Sequence, residues 1–330
     1  MNTGSRRALE WIGSNVLIML LVVICAVIAF MQPRFLSAEN LINISTQVAI
    51  NAFLATGMTF VIITGGIDIG VGSVAAFAGI TATVFIKWFD SPSVLVCVAV
   101  SLLVALAIGS LCGVFTGVMI SRYKVVPMIA TLAMMSIARG MAYVVTGGKP
   151  IFQLPSSFTW LGNGRIFKTG FMPAGWLPII VIITFAVMFT AHFFLSRTVL
   201  GRHIYAVGSN EEVAYLNGIN VHRIKLLVYA LSGILSALGG ICIASKLNSG
   251  QPTSAIGYEM FAIAAVVLGG TSLTGGNGGV SKTVIGVLTI GVLNNGMNLM
   301  KIQSFWQTIV MGVIILLAVV LDQNKARKKA

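Results

Sequence analysis

Charge is scarce in this chain of 330 residues: only 9% are Asp, Glu, Lys or Arg, and just eight are acidic. A soluble globular domain has roughly a quarter of its residues charged, so most of this molecule cannot present a solvated surface. Histidine is rarer still. His192, His203 and His222 are the only three, and none stands in an H-E-x-x-H or G-x-S-x-G setting, which argues against a hydrolase. The four cysteines, Cys25, Cys97, Cys112 and Cys242, lie in separate apolar stretches without metal-ligand spacing, so no metal site is expected. A G-x-x-x-x-G-K-[ST] phosphate loop is also missing, so hydrolysis of ATP by this chain alone is not expected.

What is present is apolar: 57% of the residues are hydrophobic. The fold class expected is an all-α polytopic membrane protein, a single membrane domain over 1–330. At roughly 20 residues per crossing the length accommodates about ten helices. The net charge of +13 is carried by short basic clusters beside apolar runs, a pattern for topology and anionic lipid rather than nucleic acid. Arg6 and Arg7 before an apolar run resemble a signal peptide, but no small-x-small cleavage site follows, so an uncleaved first span is expected.

The expected spans are 16–31, 44–63, 69–88, 94–120, 126–145, 176–195, 226–247, 260–271, 283–300 and 308–321. The segment 35–43 reads as interfacial, a turn is expected at Asp90-Ser91-Pro92, and the longest irregular stretch is 147–175. Span 260–271 is too short to cross alone, so broken or re-entrant segments are expected around the glycine-rich turns. With Arg6 and Arg7 inside, the basic segments at 122–124, 197–225 and the Lys325–Lys329 tail fall on the same side. Both termini and the 197–225 loop are therefore expected in the cytoplasm. A faint repeat relates GMTFVIITGGIDIGVGSV to AAVVLGGTSLTGGNGGVS, as in transporters built from doubled halves.

The longest water-compatible run is GRHIYAVGSNEEVAYLNGINVHRIK at 201–225. Ser209 or Asn210 can cap a short helix there, Glu211 and Glu212 suit its first turn, and Gly218 can end it. Such a helix on a membrane protein's loop makes a docking knob.

Several stretches together resemble the permease subunits of bacterial ABC importers, in the ribose-type monosaccharide branch. They are GMTFVIITGGIDIGVGSVAAFAG at 57–79, TLAMMSIARGMAYVVTGG at 131–148, the 201–225 run, EMFAIAAVVLGGTSLTGGNGGV at 259–280 and GVLNNGMNLM at 291–300. Glu212-Val213-Ala214 followed by Gly218 fits the looser EAA-x-x-x-G pattern of such permeases, departing from it at Val213. The resemblance implies an inner-membrane subunit partnered by a cytoplasmic ABC ATPase, a periplasmic sugar-binding protein and a second permease copy or sister subunit. It also implies that the ATPase, not this chain, holds ATP and magnesium. Asn210, Glu211, Glu212, Ala214 and Gly218 would then form the ATPase-coupling element.

Candidates for the substrate path are polar groups inside apolar runs. Asp68 can cap the helix after Gly65-Gly66 or act in gating. Arg139 needs a partner or a wet cavity, or else snorkels to the interface; a pairing of Asp68 with Arg139 would join the two. Asn294, Asn295 and Asn298 form the densest amide cluster, with Asn294 and Asn298 on one face expected to point into the bundle. These amides, like Asn51, either bond neighbouring helices or offer weak contacts to a passing sugar. A permease for another small polar solute, such as a branched-chain amino acid, and an ion-coupled carrier are the alternative readings.

Overall fold

A long apolar helix is the default in lipid, because it satisfies its own backbone, and helices dominate here. The computed structural model describes residues 3–89, 93–167 and 175–327, and within them every side chain except those of 3–16, 321 and 324–327. The expected 90–92 turn, Lys168, Lys328 and Lys329, and the side chains of Arg6, Arg7, Lys325 and Arg327 lie outside the described residues.

In chain order the elements are α1 (Thr3–Met31), a 3-10 turn (Pro33–Leu36), α2 (Ala38–Ile63), α3 (Val71–Phe89), α4 (Val94–Ser121), α5 (Pro127–Thr146), β1 (Ile151–Phe152), α6 (Ser156–Asn163), β2 (Arg165–Ile166), β3 (Leu177–Pro178), α7 (Ile179–Arg197), α8 (Val199–Ser209), α9 (Glu211–Leu216), α10 (Val221–Leu247), β4 (Ser249–Gly250), α11 (Tyr258–Leu268), α12 (Val280–Leu299) and α13 (Ser304–Arg327). Among the described residues six of these, α2, α3, α4, α5, α7 and α10, are long and apolar enough to cross a membrane. Shorter apolar helical stretches run over Leu17–Met31, Tyr258–Leu268 and Ser304–Val320. The expected span 283–300 is α12, whose 20 residues carry Lys282 and three asparagines. The ten expected spans are thus of unequal kind. The 11 residues of α11 rise only about 16 Å, short of the roughly 30 Å hydrocarbon core.

The core is organised around α10 and α2. Helix α10 packs against α4, α3 and α2, and its seam with α4 is built on Gly109, Gly113 and Gly117, spaced four apart on one face. A Cβ on Gly109 would lie 2.5 Å from the Cα of Ile234, and one on Gly117 would lie 3.0 Å from that of Leu226. The missing side chains let the two backbones approach, which is how helices gain packing in lipid without a hydrophobic drive. Helix α2 contributes Phe53, Leu54, Met58, Phe60, Ile62 and Ile63, all at most 2% exposed.

The 35–43 segment expected at the interface forms the 3-10 turn and the first turns of α2. Ser37 caps α2 by accepting from the Asn40 N–H at 3.3 Å, and Phe35 is buried. The stretch expected to be irregular, 147–175, contains α6 and two short strands. β1 pairs antiparallel with β4, Ile151 opposite Gly250, and β2 pairs with β3, Arg165 opposite Pro178. Helix α6 is tied to α10 because Ser245 Oγ accepts from the Gly162 N–H at 2.7 Å and donates to the Phe158 carbonyl at 2.6 Å.

The two glycine-rich turns close their helices alike. After α2, Gly65 takes φ +75° and the Gly66 N–H bonds the Val61 carbonyl at 3.1 Å. After α11, Gly270 takes φ +86° and the Thr271 N–H bonds the Val266 carbonyl at 3.2 Å. Both are left-handed glycine closures with a bond reaching back five residues. The likeness in sequence therefore has a local counterpart in backbone geometry.

Candidate functional site

The 201–225 run is more ordered than a solvated loop. Thr198 caps α8 by accepting the Gly201 N–H at 3.0 Å, and Ile204 and Val207 of α8 are buried beneath it. Asn210, rather than Ser209, caps α9 by accepting the Val213 N–H at 3.0 Å. Gly218, at φ +81°, ends α9, and the Ile219 N–H then bonds the Ala214 carbonyl at 3.0 Å. Ala214 is 3% exposed and anchors the short helix. Val213, Tyr215 and Leu216 face outward at 51%, 71% and 76% exposure, beside the exposed Glu212. The short capped helix thus turns three apolar side chains and one carboxylate outward.

Glu211 holds the knob to its neighbours, accepting from Lys225 Nζ at 2.5 Å and from Lys124 Nζ at 3.5 Å. Partial burial pushes its carboxyl up, but the hydrogen bond and charge of Lys225, with Lys124 behind it, outweigh this and hold it below the usual range. A carboxylate so depressed contributes stability above its unfolded pKa and loses it as pH falls through the folded one. Amide protection factors across α9, taken against the intrinsic exchange rate at each pH, should therefore fall as pH drops below the ordinary glutamate range. Lys225→Gln, which returns the carboxyl toward its ordinary range, should flatten that dependence. Exposure keeps the effect modest, and an unchanged pH dependence in the variant would discount the ion pair.

Helix α8 also rests directly on both glycine turns. The Gly276 N–H donates to the Ile63 carbonyl at 2.9 Å, joining the end of α2 to the turn after α11. Tyr205 of α8 donates its hydroxyl to the Gly278 carbonyl at 2.8 Å. A Cβ on Gly208 would overlap the Ile63 carbonyl oxygen, and one on Gly275 would come within 2.6 Å of the Gly208 carbonyl. Asp322 of α13 accepts from Ser272 Oγ and from the Leu273 N–H, both at 3.1 Å. Three elements thus meet at one point: the knob-bearing pair α8–α9 and the two turns. Tyr205, Gly208 and Asp322 escaped the sequence reading. Asp322 could have been noticed as one of only eight acids, whereas nothing local marks Gly208.

Asp68 sits within this end of the bundle at 8% exposure. Its Oδ1 accepts the Gly70 N–H at 3.0 Å and its Oδ2 accepts from Ser232 of α10 at 2.7 Å. Because α3 begins at Val71, this is an Asx turn leading into the helix rather than the N-cap of α3 expected from the sequence. The hydroxyl of Tyr229, 1% exposed, has no hydrogen-bond partner among the described residues and lies where a Cβ on Gly66 would be.

Arg139 does not meet Asp68. Its Nη1 donates to the carbonyls of Pro252 and Ser254 at 2.6 and 2.8 Å, bracing the turn between β4 and α11. The pairing considered from sequence is therefore absent, since each group has its own partners in a different part of the fold.

The asparagines also divide differently from the expectation. Asn295, 2% exposed, forms a reciprocal amide pair with Asn40 of α2, at 3.0 and 2.9 Å. Asn298 is exposed and accepts from Gln307 at 2.8 Å. Asn294 is half-buried, and its Oδ1 has no hydrogen-bond partner among the described residues. The face shared by Asn294 and Asn298 is thus not the one turned into the bundle; that one belongs to Asn295. Asn51 is half-buried on α2. Asn295→Leu should cost about 1–2 kcal/mol, because it orphans the Asn40 carbonyl oxygen. The double variant Asn40→Leu with Asn295→Leu should recover part of that in a thermal-melt cycle, and strict additivity would count against the pair.

The family profile described as "Branched-chain amino acid transport system / permease component" matches residues 40–319. The ribose import permease protein RbsC of Escherichia coli strain K12 is 43% identical over 319 residues, 96% of this chain and 95% of that protein. The ribose import permease protein RbsC of Haemophilus influenzae is 44% identical over 313 residues, 94% of this chain and 93% of that one. The L-arabinose transport system permease protein AraH of Escherichia coli strain K12 is 38% identical over 328 residues, 98% and 93% of the two chains. No solved structure matches the chain. Because the likeness runs from the first turn of α2 into α13 rather than over one motif, the chain belongs to this family of transport-system permease components.

Proposed function

We propose that this chain is the membrane-spanning subunit of an ABC importer that carries a monosaccharide inward, with ribose as the leading substrate. The observation that carries the reading is full-length identity of 43–44% to two proteins named as ribose import permeases, against 38% to one named for L-arabinose. A partner ATPase holds ATP and magnesium and docks on α9 through Glu212, Val213, Tyr215 and Leu216. Asn210 and Gly218 fix the ends of that helix, Ala214 its base, and Glu211 its tie to Lys225 and Lys124. A periplasmic binding protein delivers the sugar at the opposite end of the bundle, and a second permease subunit completes the path. The protein lies in the bacterial inner membrane with ten membrane-associated helical segments and both termini in the cytoplasm.

The path itself favours neutral groups. A conduit must replace hydration yet release its cargo, and half-buried amides such as Asn51 and Asn294 suit that better than fixed charges. Asp68 and Arg139 are engaged with Ser232, Gly70 and the 252–254 carbonyls, which supports structural roles at the two ends of the path.

The test is uptake into proteoliposomes holding this chain and its ATPase, with loaded binding protein outside. ATP-dependent uptake of ribose, stimulated by one binding protein, is expected. Uptake of leucine instead would move the substrate to branched-chain amino acids, and uptake driven by a proton gradient without the ATPase would reject the reading. Glu212→Lys and Gly218→Pro should each lower ATP-driven uptake about tenfold or more while leaving insertion intact. Gly218→Pro removes the N–H that bonds Tyr215 and forbids the positive φ. Full uptake by both would discount α9 as the docking element.

A further inference from the structure

At the end of the bundle opposite α9, a half-enclosed cavity of about 170 Å³ opens between α2, α6, β2, β3 and the last turn of α10. Its polar wall is Asn43 and Thr46 of α2, Asn163 of α6, Arg165 of β2 and Lys246 of α10. Two of the five are cations, and no carboxylate and no aromatic ring lines the space. Neither cation makes an ion pair among the described residues, where Glu211 is the only acid that does. The acid nearest along α2, Glu39, lies one turn before Asn43, is exposed and is outside the lining.

The walls are fixed. Asn163 Nδ2 donates to the carbonyls of Ser245 and Lys246 at 3.3 and 3.1 Å. Gly162 packs so closely on Lys246 that a Cβ there would lie 2.8 Å from its Cα. Thr46 uses its hydroxyl proton on the Ile42 carbonyl at 2.8 Å. The donors left for a ligand are the Arg165 guanidinium, the Lys246 ammonium and the Asn43 amide. A fork and a point charge converging from different elements on a polar pocket suit an oxyanion with several acceptor oxygens. A sugar would be expected to find carboxylate acceptors or a stacking ring, and here it would meet neither.

We propose that this cavity is a binding site for a phosphate group, held by Arg165 and Lys246 with Asn43 as the third donor. The group can arrive on a membrane phospholipid or as free phosphate. The apolar surface near the pocket in sequence, Leu41 at 47% and Trp160 at 44% exposure, favours the lipid, whose chains would need such a surface. The site is separate from the α9 surface and does not depend on the transported solute.

The experiment uses the purified, delipidated full chain in detergent, with native mass spectrometry and thermal melts as readouts. Phosphatidylglycerol, phosphatidylcholine and inorganic phosphate are added separately. Saturable binding of phosphatidylglycerol is expected, with affinity falling about tenfold in Arg165→Gln and in Lys246→Gln, as for loss of one charge-assisted contact. Lys149→Gln, a cation outside the lining, should bind as the parent does and so controls for bulk charge. Variant-sensitive binding of inorganic phosphate without lipid retention would support the site and assign it to the free anion. Indifference of every probe to both variants, or equal losses in Lys149→Gln, would overturn the proposal. Unliganded melting temperatures matching the parent will show that the variants remain folded.

Discussion

Replacing Gly208 with valine is expected to abolish most ATP-driven uptake while the chain still inserts into the membrane. Any Cβ at this position would overlap the carbonyl oxygen of Ile63, which is already the acceptor for the Gly276 N–H. Backbone cannot yield as the end of a flexible side chain can, so α8 must lift from the two glycine turns. Overpacking of this kind costs about 1–3 kcal/mol, enough to shift the docked fraction of α8 by roughly tenfold to a hundredfold. If α8–α9 carries the ATPase's motion, that shift breaks its mechanical continuity with α2 and α11. Tyr205→Phe, which removes only the bond to Gly278, should show a milder loss in the same direction. Uptake and ATPase stimulation measured in proteoliposomes check both variants. Parental uptake by Gly208→Val would show that α8 need not seat on the turns.

The second large effect is expected at Asp68. Its two oxygens serve the Gly70 N–H and the Ser232 hydroxyl inside a packed region. Buried hydrogen bonds to a charged group contribute about 1.5–3 kcal/mol each, so Asp68→Leu should destabilise the fold by about 3 kcal/mol or more. Asp68→Asn keeps the shape and one acceptor oxygen for Gly70. It should melt between the parent and the leucine variant and retain uptake, as a residue that positions a turn would. A melt of Asp68→Leu no lower than that of Asp68→Asn would refute the hydrogen-bond account. Loss of uptake in Asp68→Asn with a parental melt would instead place the carboxylate in gating.

Both predictions concern residues whose surroundings the sequence does not display. Capping signals are local, so Asn210, Glu211 and Gly218 could be read in order along the chain, and the short helix they bound lies where those signals put it. The length of apolar runs is also a local property, and it locates α2, α3, α4, α5, α7 and α10 to within several residues at each end, while α1 begins well before its expected span. Amide orientation is not local. Asn294 and Asn298 share a face by periodicity, yet which face turns inward depends on where α2 lies, and α2 presents Asn40 to Asn295. Arg139 reads as a charge seeking a counter-charge, but carbonyls freed at the 252–254 turn satisfy it, and that turn lies 113 residues along the chain.

What the sequence by itself determined was the medium and the class. A chain with 9% charged residues and 57% hydrophobic residues, gathered into apolar runs of about helix-spanning length, satisfies its backbone in lipid by forming helices, and its scattered stretches carry the family likeness. What only the tertiary structure decided was contact between distant segments. It set the two glycine turns against each other and under α8, gave Asp68 its bond to Ser232, and left Arg165 and Lys246 around one cavity. The physical reason is range. Hydropathy and capping act over a few residues, whereas glycine contacts and buried polar partners depend on helices far apart in sequence packing at backbone distance.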